Sequence, residues 1–129
     1  MSYVETLTAD DIAFGKRLWH SLRSNKKFPV QGMLWLFQPD AGEWHLLVAS
    51  PKVDVLGARD AYRKLAEVTH NVPADSAQLL KIELVSPKQP VYQALRSVFA
   101  KTHSVEGARL GNTQVAGMYI NDAYLYEVR

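Results

Sequence analysis

Leu46-Leu47-Val48-Ala49-Ser50-Pro51-Lys52 and Ile82-Glu83-Leu84-Val85-Ser86-Pro87-Lys88 are two versions of one arrangement. Each is an apolar run that ends in Ser-Pro-Lys and feeds a segment with a Tyr-x-x-Leu pair, Tyr62 with Leu65 and Tyr92 with Leu95. In the second run Leu80, Ile82 and Leu84 alternate with Lys81 and Glu83, the period of a strand with one buried face. Ala58, Ala61, Tyr62, Leu65 and Val68 recur at spacings of three and four, which predicts a helix over 57–69. Strand, helix, strand in that order predicts a parallel pair joined by a right-handed crossover.

The rest of the chain builds out from this unit. Thr8 is a good N-cap for a helix over 9–24, Asp10 and Asp11 suit the positive end of its dipole, and Leu18, Trp19 and Leu22 form its inward stripe. Pro29 forbids continuation. The run Met33-Leu34-Trp35-Leu36-Phe37 predicts a strand over 31–38 that is buried on both faces. Pro39-Asp40-Ala41-Gly42 is a turn, and 43–50 is the returning strand. A loop over 71–77 leads to a strand over 78–85. A third helix begins at Pro90, a favourable first helical position, and carries Val91, Tyr92, Leu95, Val98 and Phe99. Gly111-Asn112 is expected to turn a terminal hairpin, with strand at 115–120 and 124–128 and a turn or bulge at Asn121-Asp122. The expected order is α-β-β-α-β-α-β-β. It describes a single α/β (α+β) domain over 1–129, a mixed sheet with helices packed on it.

Composition narrows the chemistry. At 47 % hydrophobic and 22 % charged residues the chain can bury a core without staples. It has no cysteine, which excludes thiol nucleophiles, redox dithiols, iron–sulfur clusters and thiolate zinc sites. Together with the lack of a signal-peptide pattern or an apolar run near ~20 residues, this predicts a soluble cytoplasmic protein without a membrane span. The net charge of +2 demands no nucleic-acid partner, but residues 16–27 hold Lys16, Arg17, Arg23, Lys26 and Lys27 with no acid among them.

Two features have the makings of a site. If the two strands are parallel, both Ser-Pro-Lys corners lie at their carboxyl ends, the edge where open α/β sheets bind ligands. Ser50, Lys52, Ser86 and Lys88 are then the expected anion-binding residues, helped by the helix N-termini that follow. The repeat also has a plain structural account, since proline stops strands, serine suits turns and lysine solvates corners. The second feature is a basic stripe, Lys16, His20, Arg23 and Lys27, at i, i+4, i+7 and i+11. It is suited to phosphates or to an acidic protein patch, and equally to a solvated outer face; Lys27 falls near or beyond the helix end.

Stronger catalytic signatures are missing. His20, His45, His70 and His103 have no metal-ligand spacing, so neither metal nor cofactor is expected. The chain has no G-x-x-x-x-G-K, G-x-G-x-x-G or G-x-S-x-G. The order α-β-β opens the restriction-endonuclease-like core as well, but no Glu-x-Lys or Asp-x-Lys follows. Trp19, Trp35 and Trp44 are expected in the packing, while Tyr119, Tyr124 and Tyr126 are candidates for an interface or groove.

Phe28-Pro29-Val30, Trp35-Leu36-Phe37, Glu43-Trp44, the Ala49-Ser50-Pro51 corner with Asp54 and Gly57, and the ending Asp122-Ala123-Tyr124-Leu125-Tyr126 carry a resemblance to a group of small stand-alone bacterial proteins of unassigned function. The resemblance implies a bacterial, cytoplasmic, single-domain protein and brings no activity or catalytic residue with it. The expected function is a non-enzymatic binding or regulatory module for an anionic partner, nucleic acid or acidic protein surface. The alternative is a metal-dependent phosphoesterase or nuclease using Asp40, Glu43, Asp54 and Glu83. A homodimer through an exposed sheet edge is a third expectation.

Overall fold

The computed structural model describes residues 5–101 and 105–129. The elements run α1 (Ala9–Arg23), β1 (Gly32–Gln38), β2 (Glu43–Ala49), α2 (Lys52–Leu56), α3 (Ala58–Val68), α4 (Ser76–Leu80), β3 (Ile82–Val85), α5 (Pro90–Phe99), β4 (Ala108–Val115) and β5 (Met118–Val128). The five strands make one mixed sheet in the order β3-β2-β1-β5-β4. β2 and β3 are parallel, and every other neighbouring pair is antiparallel. This is the expected α+β architecture, with the crossover unit of β2 and β3 at one side of the sheet.

The sheet is covered on both faces. On one, Phe14, Leu18 and Leu22 of α1 and Ala61 and Leu65 of α3 pack against Met33, Trp35, Leu46, Val48 and Tyr126. On the other, Val91, Tyr92 and Leu95 of α5 pack against Leu34, Leu47, Ala49, Ala123 and Leu125. Successive residues of a strand point to opposite faces, so a double-sided core requires the continuous apolar runs of β1 and β2. Two glycines set how closely the layers approach. Gly15 of α1 lies against the Tyr126 ring and Gly32 of β1 against the Tyr92 ring, each where a Cβ would collide.

Helix α1 starts with a reciprocal capping box: Asp11 N–H donates to Thr8 Oγ1 and Thr8 N–H to the Asp11 carboxylate, both at 3.1 Å. The structure departs from expectation in four places. Residues 76–80, expected as the end of a loop and the start of a strand at 78, form α4, because Asp75 and Gln78 make a second capping box. α2, which was not expected, follows Pro51 and is separated from α3 by Gly57 at φ 80°. The terminal hairpin turns at Ala116-Gly117, both at positive φ, and not at Gly111-Asn112. Asn121-Asp122 is neither turn nor bulge: it lies within β5, where Asp122 pairs Gly111 and Ile120 pairs Thr113. Among the described residues no helix is long and apolar enough to cross a membrane.

Candidate functional site: a basic sheet edge

The pairing registers bring four strand ends into one row. Gly32 pairs both Ala49 and Val128, and Ala49 pairs Val85. Hydrogen bonds extend the row by a residue: Ser50 N–H to Val85 O, Gln31 N–H to Ala49 O and Arg129 N–H to Gln31 O. At strand spacings of 4.7–4.9 Å, four strands span about 14 Å. Beyond this row lie both Ser-Pro-Lys corners, the loop of residues 24–31 and Arg129.

The corners share an edge, as the parallel register requires, but their hydroxyls are occupied. Ser50 is 0 % exposed; its Oγ donates to Pro29 O at 2.6 Å and accepts from Lys52 N–H at 3.2 Å. Ser86 Oγ lies 2.9 Å from both oxygens of Asp54, to which it donates, and accepts from Lys88 N–H at 3.1 Å. Both serines thus build their corners, and Asp54 brings a negative charge to the second. What the corners present outward are the ammonium groups of Lys52, half-buried, and Lys88, exposed.

Ser50 also links the corner to the end of α1. Its acceptor, Pro29, lines two adjoining grooves of about 450 and 360 Å³, which share Pro29, Val30 and Arg129. Arg23 and Lys26 line the first, Arg96 the second. Sequence reading missed the contribution of Arg96 and Arg129. Nothing local marks them, because α5 and the end of β5 meet this edge only through the fold. Among the described residues Arg23, Lys26, Lys27, Lys52, Lys88 and Arg96 make no ion pair within 4.0 Å, while Arg129 Nε lies 3.0 Å from Glu127. Glu127 also accepts from Trp19 Nε1 at 2.8 Å.

The α1 stripe divides. Lys16 Nζ is 3.8 Å from Glu106, the exposed His20 ring has its centroid 5.0 Å from that of Trp19, and the Arg23 guanidinium sits over Trp19 at 4.6 Å. α1 ends at Arg23, so Lys27 leaves the stripe and lines a neighbouring groove of about 600 Å³ with Lys26, Lys64 and His70. There His70 Nδ1 donates to Glu67 O at 2.9 Å, an assignment the carbonyl acceptor dictates, and Nε2 carries no proton in the neutral ring. Of the predicted stripe only Arg23 joins the edge.

The four candidate carboxylates do not converge. Glu43 and Glu83 meet on His45, at 3.4 Å from Nε2 and 3.0 Å from Nδ1. Asp54 is held by Ser86, and Asp40 is exposed in the β1–β2 turn. Among the described residues no group of three or more His, Cys, Asp or Glu side chains is placed to hold a metal ion. Trp35 and Tyr126 are buried and joined by a 3.1 Å hydrogen bond, so Tyr126 is core; Tyr124 packs edge-on against it, and Tyr119 is 57 % exposed. His103 lies outside the described residues. Comparison with protein-family models, curated proteins and solved structures finds no match for this chain.

Proposed function

We propose that this protein is a non-enzymatic binding or regulatory module, acting in the cytoplasm, that engages an anionic partner through the edge formed by Arg23, Lys26, Lys52, Lys88, Arg96 and Arg129. One observation carries the reading: five of these six cations, drawn from separate elements onto one edge, have no ion pair among the described residues. Unpaired charges of one sign attract a polyanion over several ångströms and repel one another without it. The serines do not contact the partner in this reading; they hold the lysine-bearing corners in place.

Retention on immobilised heparin at neutral pH and low salt tests the proposal. The wild-type chain is expected to be retained and to elute with added salt. Joint replacement of Lys26, Lys52 and Lys88 by Glu is expected to abolish retention. Arg63→Glu, on α3 and away from the edge, is expected to leave it nearly unchanged. Equal elution of the triple variant and wild type would remove the edge from the function.

A further inference from the structure

Resting on that reading, we infer that the partner is a double-stranded nucleic acid held by its phosphates without regard to sequence. Three observations select it over an acidic protein surface or a single strand. The cations form a line: Lys88, Lys52 and Arg129 stand just beyond the ends of β3, β2 and β5, across about 14 Å of sheet edge, and Arg23 and Lys26 flank the line at the end of α1. A row of separated positive groups suits a backbone of evenly repeated charges.

The second observation is what the edge lacks. Among the described residues the exposed large apolar side chains are Val55, Leu56, Tyr62, Leu79, Leu80, Val98 and Tyr119. None lies in residues 24–31, in residues 86–89 or beside Arg129, because Phe28 and Val30 of the loop are turned into the core; Val55 and Leu56 stand at the margin, on the α2 helix that follows Lys52. Protein–protein interfaces are built around a buried apolar or aromatic centre, and the loop of residues 24–31, the second corner and Arg129, which make up the middle of this edge, offer none. The third concerns stacking. Single strands are gripped by exposed aromatic rings on which bases lie. Among the described residues the exposed tyrosines are Tyr62, against the outer side of β3, and Tyr119, paired with Gln114 at the far end of β5. Trp19, the indole nearest the edge, is 8 % exposed and covered by Arg23. With no exposed ring for stacking among the described residues of the edge, the edge contacts phosphates and leaves the bases unread.

Fluorescence anisotropy with short labelled duplexes of two unrelated sequences decides the matter. Both are expected to bind with the same Kd. If about four phosphates are contacted, affinity is expected to fall about a hundredfold between roughly 50 and 200 mM salt. Lys88→Gln, at an exposed position, is expected to reduce the salt slope by about one. The triple Glu variant, checked for folding by circular dichroism, is expected to lose binding, and Lys88→Gln alone serves if that variant does not fold. Several results would overturn the inference: tighter binding to oligo(dT) than to duplex, a marked preference between the two sequences, or binding to polyglutamate without binding to duplex. The last would leave the anionic-partner reading standing. Loss of heparin retention together with no binding to any of these probes would remove both.

Discussion

Ser50 illustrates how a residue chosen for its chemistry can serve construction instead. Its hydroxyl is buried, donates to Pro29 O and accepts from Lys52 N–H, so it fastens the loop of residues 24–31 to the end of β2. Replacement by Ala would remove both bonds, at about 0.5–1.5 kcal/mol each and so about 1–3 kcal/mol together. Ser50→Ala is therefore expected to lower the unfolding free energy by an amount in that range, seen as a lower urea midpoint. Ser86→Ala, at a half-exposed site where water can replace the hydroxyl, is expected to cost less. The prediction is wrong if the two variants unfold at the same midpoint. Ala116 shows a different economy: with φ at 48° beside Gly117 at 84°, it closes the β4–β5 hairpin in a conformation that L-residues adopt at a cost.

At the scale of elements, the weak points of a sheet are its edges, and β3 is an edge strand of four residues. Tyr62 of α3 covers it. Its Oη accepts from Leu84 N–H at 2.8 Å and lies 3.4 Å from Ile82 O, to which it donates. One phenol thus occupies two backbone groups that a further strand would use. Tyr62→Phe keeps the ring and removes both bonds. The Leu84 amide is then expected to exchange with solvent about tenfold faster, which corresponds to the ~1.4 kcal/mol of one hydrogen bond. Hydrogen exchange followed by NMR measures it, and an unchanged Leu84 rate would show that Tyr62 does not guard the edge. The capping boxes at Thr8 and Asp75 work at the same scale, each deciding where a helix begins.

For the molecule as a whole, the two cores share a dependence on pH. Each has a buried tyrosine: Tyr126 between α1 and the sheet, Tyr92 between α5 and the sheet. Burial raises the phenol of Tyr92 above its ordinary value of 10.0, and burial raises that of Tyr126 further, because the phenolate would be stranded away from water. In the unfolded chain both phenols ionise near 10, while the folded chain still holds their protons. The unfolded state thus binds fewer protons there, and stability falls as pH rises. The stabilisation is complete below about pH 10 and is lost on approaching the folded-state values. Urea unfolding on either side of pH 10 is expected to show this loss, and Tyr126→Phe to show less of it. Equal alkaline sensitivity in the two proteins would contradict the assignment.

The elements themselves were legible in the sequence wherever local physics decides them. Thr8 and Pro90 mark helix starts, the run at 33–37 marks a strand buried on two faces, and the spacing from Ala58 to Val68 marks a helix. The Asp75-x-x-Gln78 box was legible too, although the alternation that continues from Leu80 into β3 hides it. Parallel pairing of β2 and β3 followed from element order and the handedness of crossovers. Tertiary structure alone decided what the shared corners do. Whether a serine hydroxyl faces a ligand or the Pro29 carbonyl depends on a loop that comes 21 residues earlier in the chain. Whether Arg96 and Arg129 join Lys52 depends on how α5 crosses the sheet and where β5 ends. Local rules act over a few residues, whereas the charge of an edge is a sum over every element that happens to finish there.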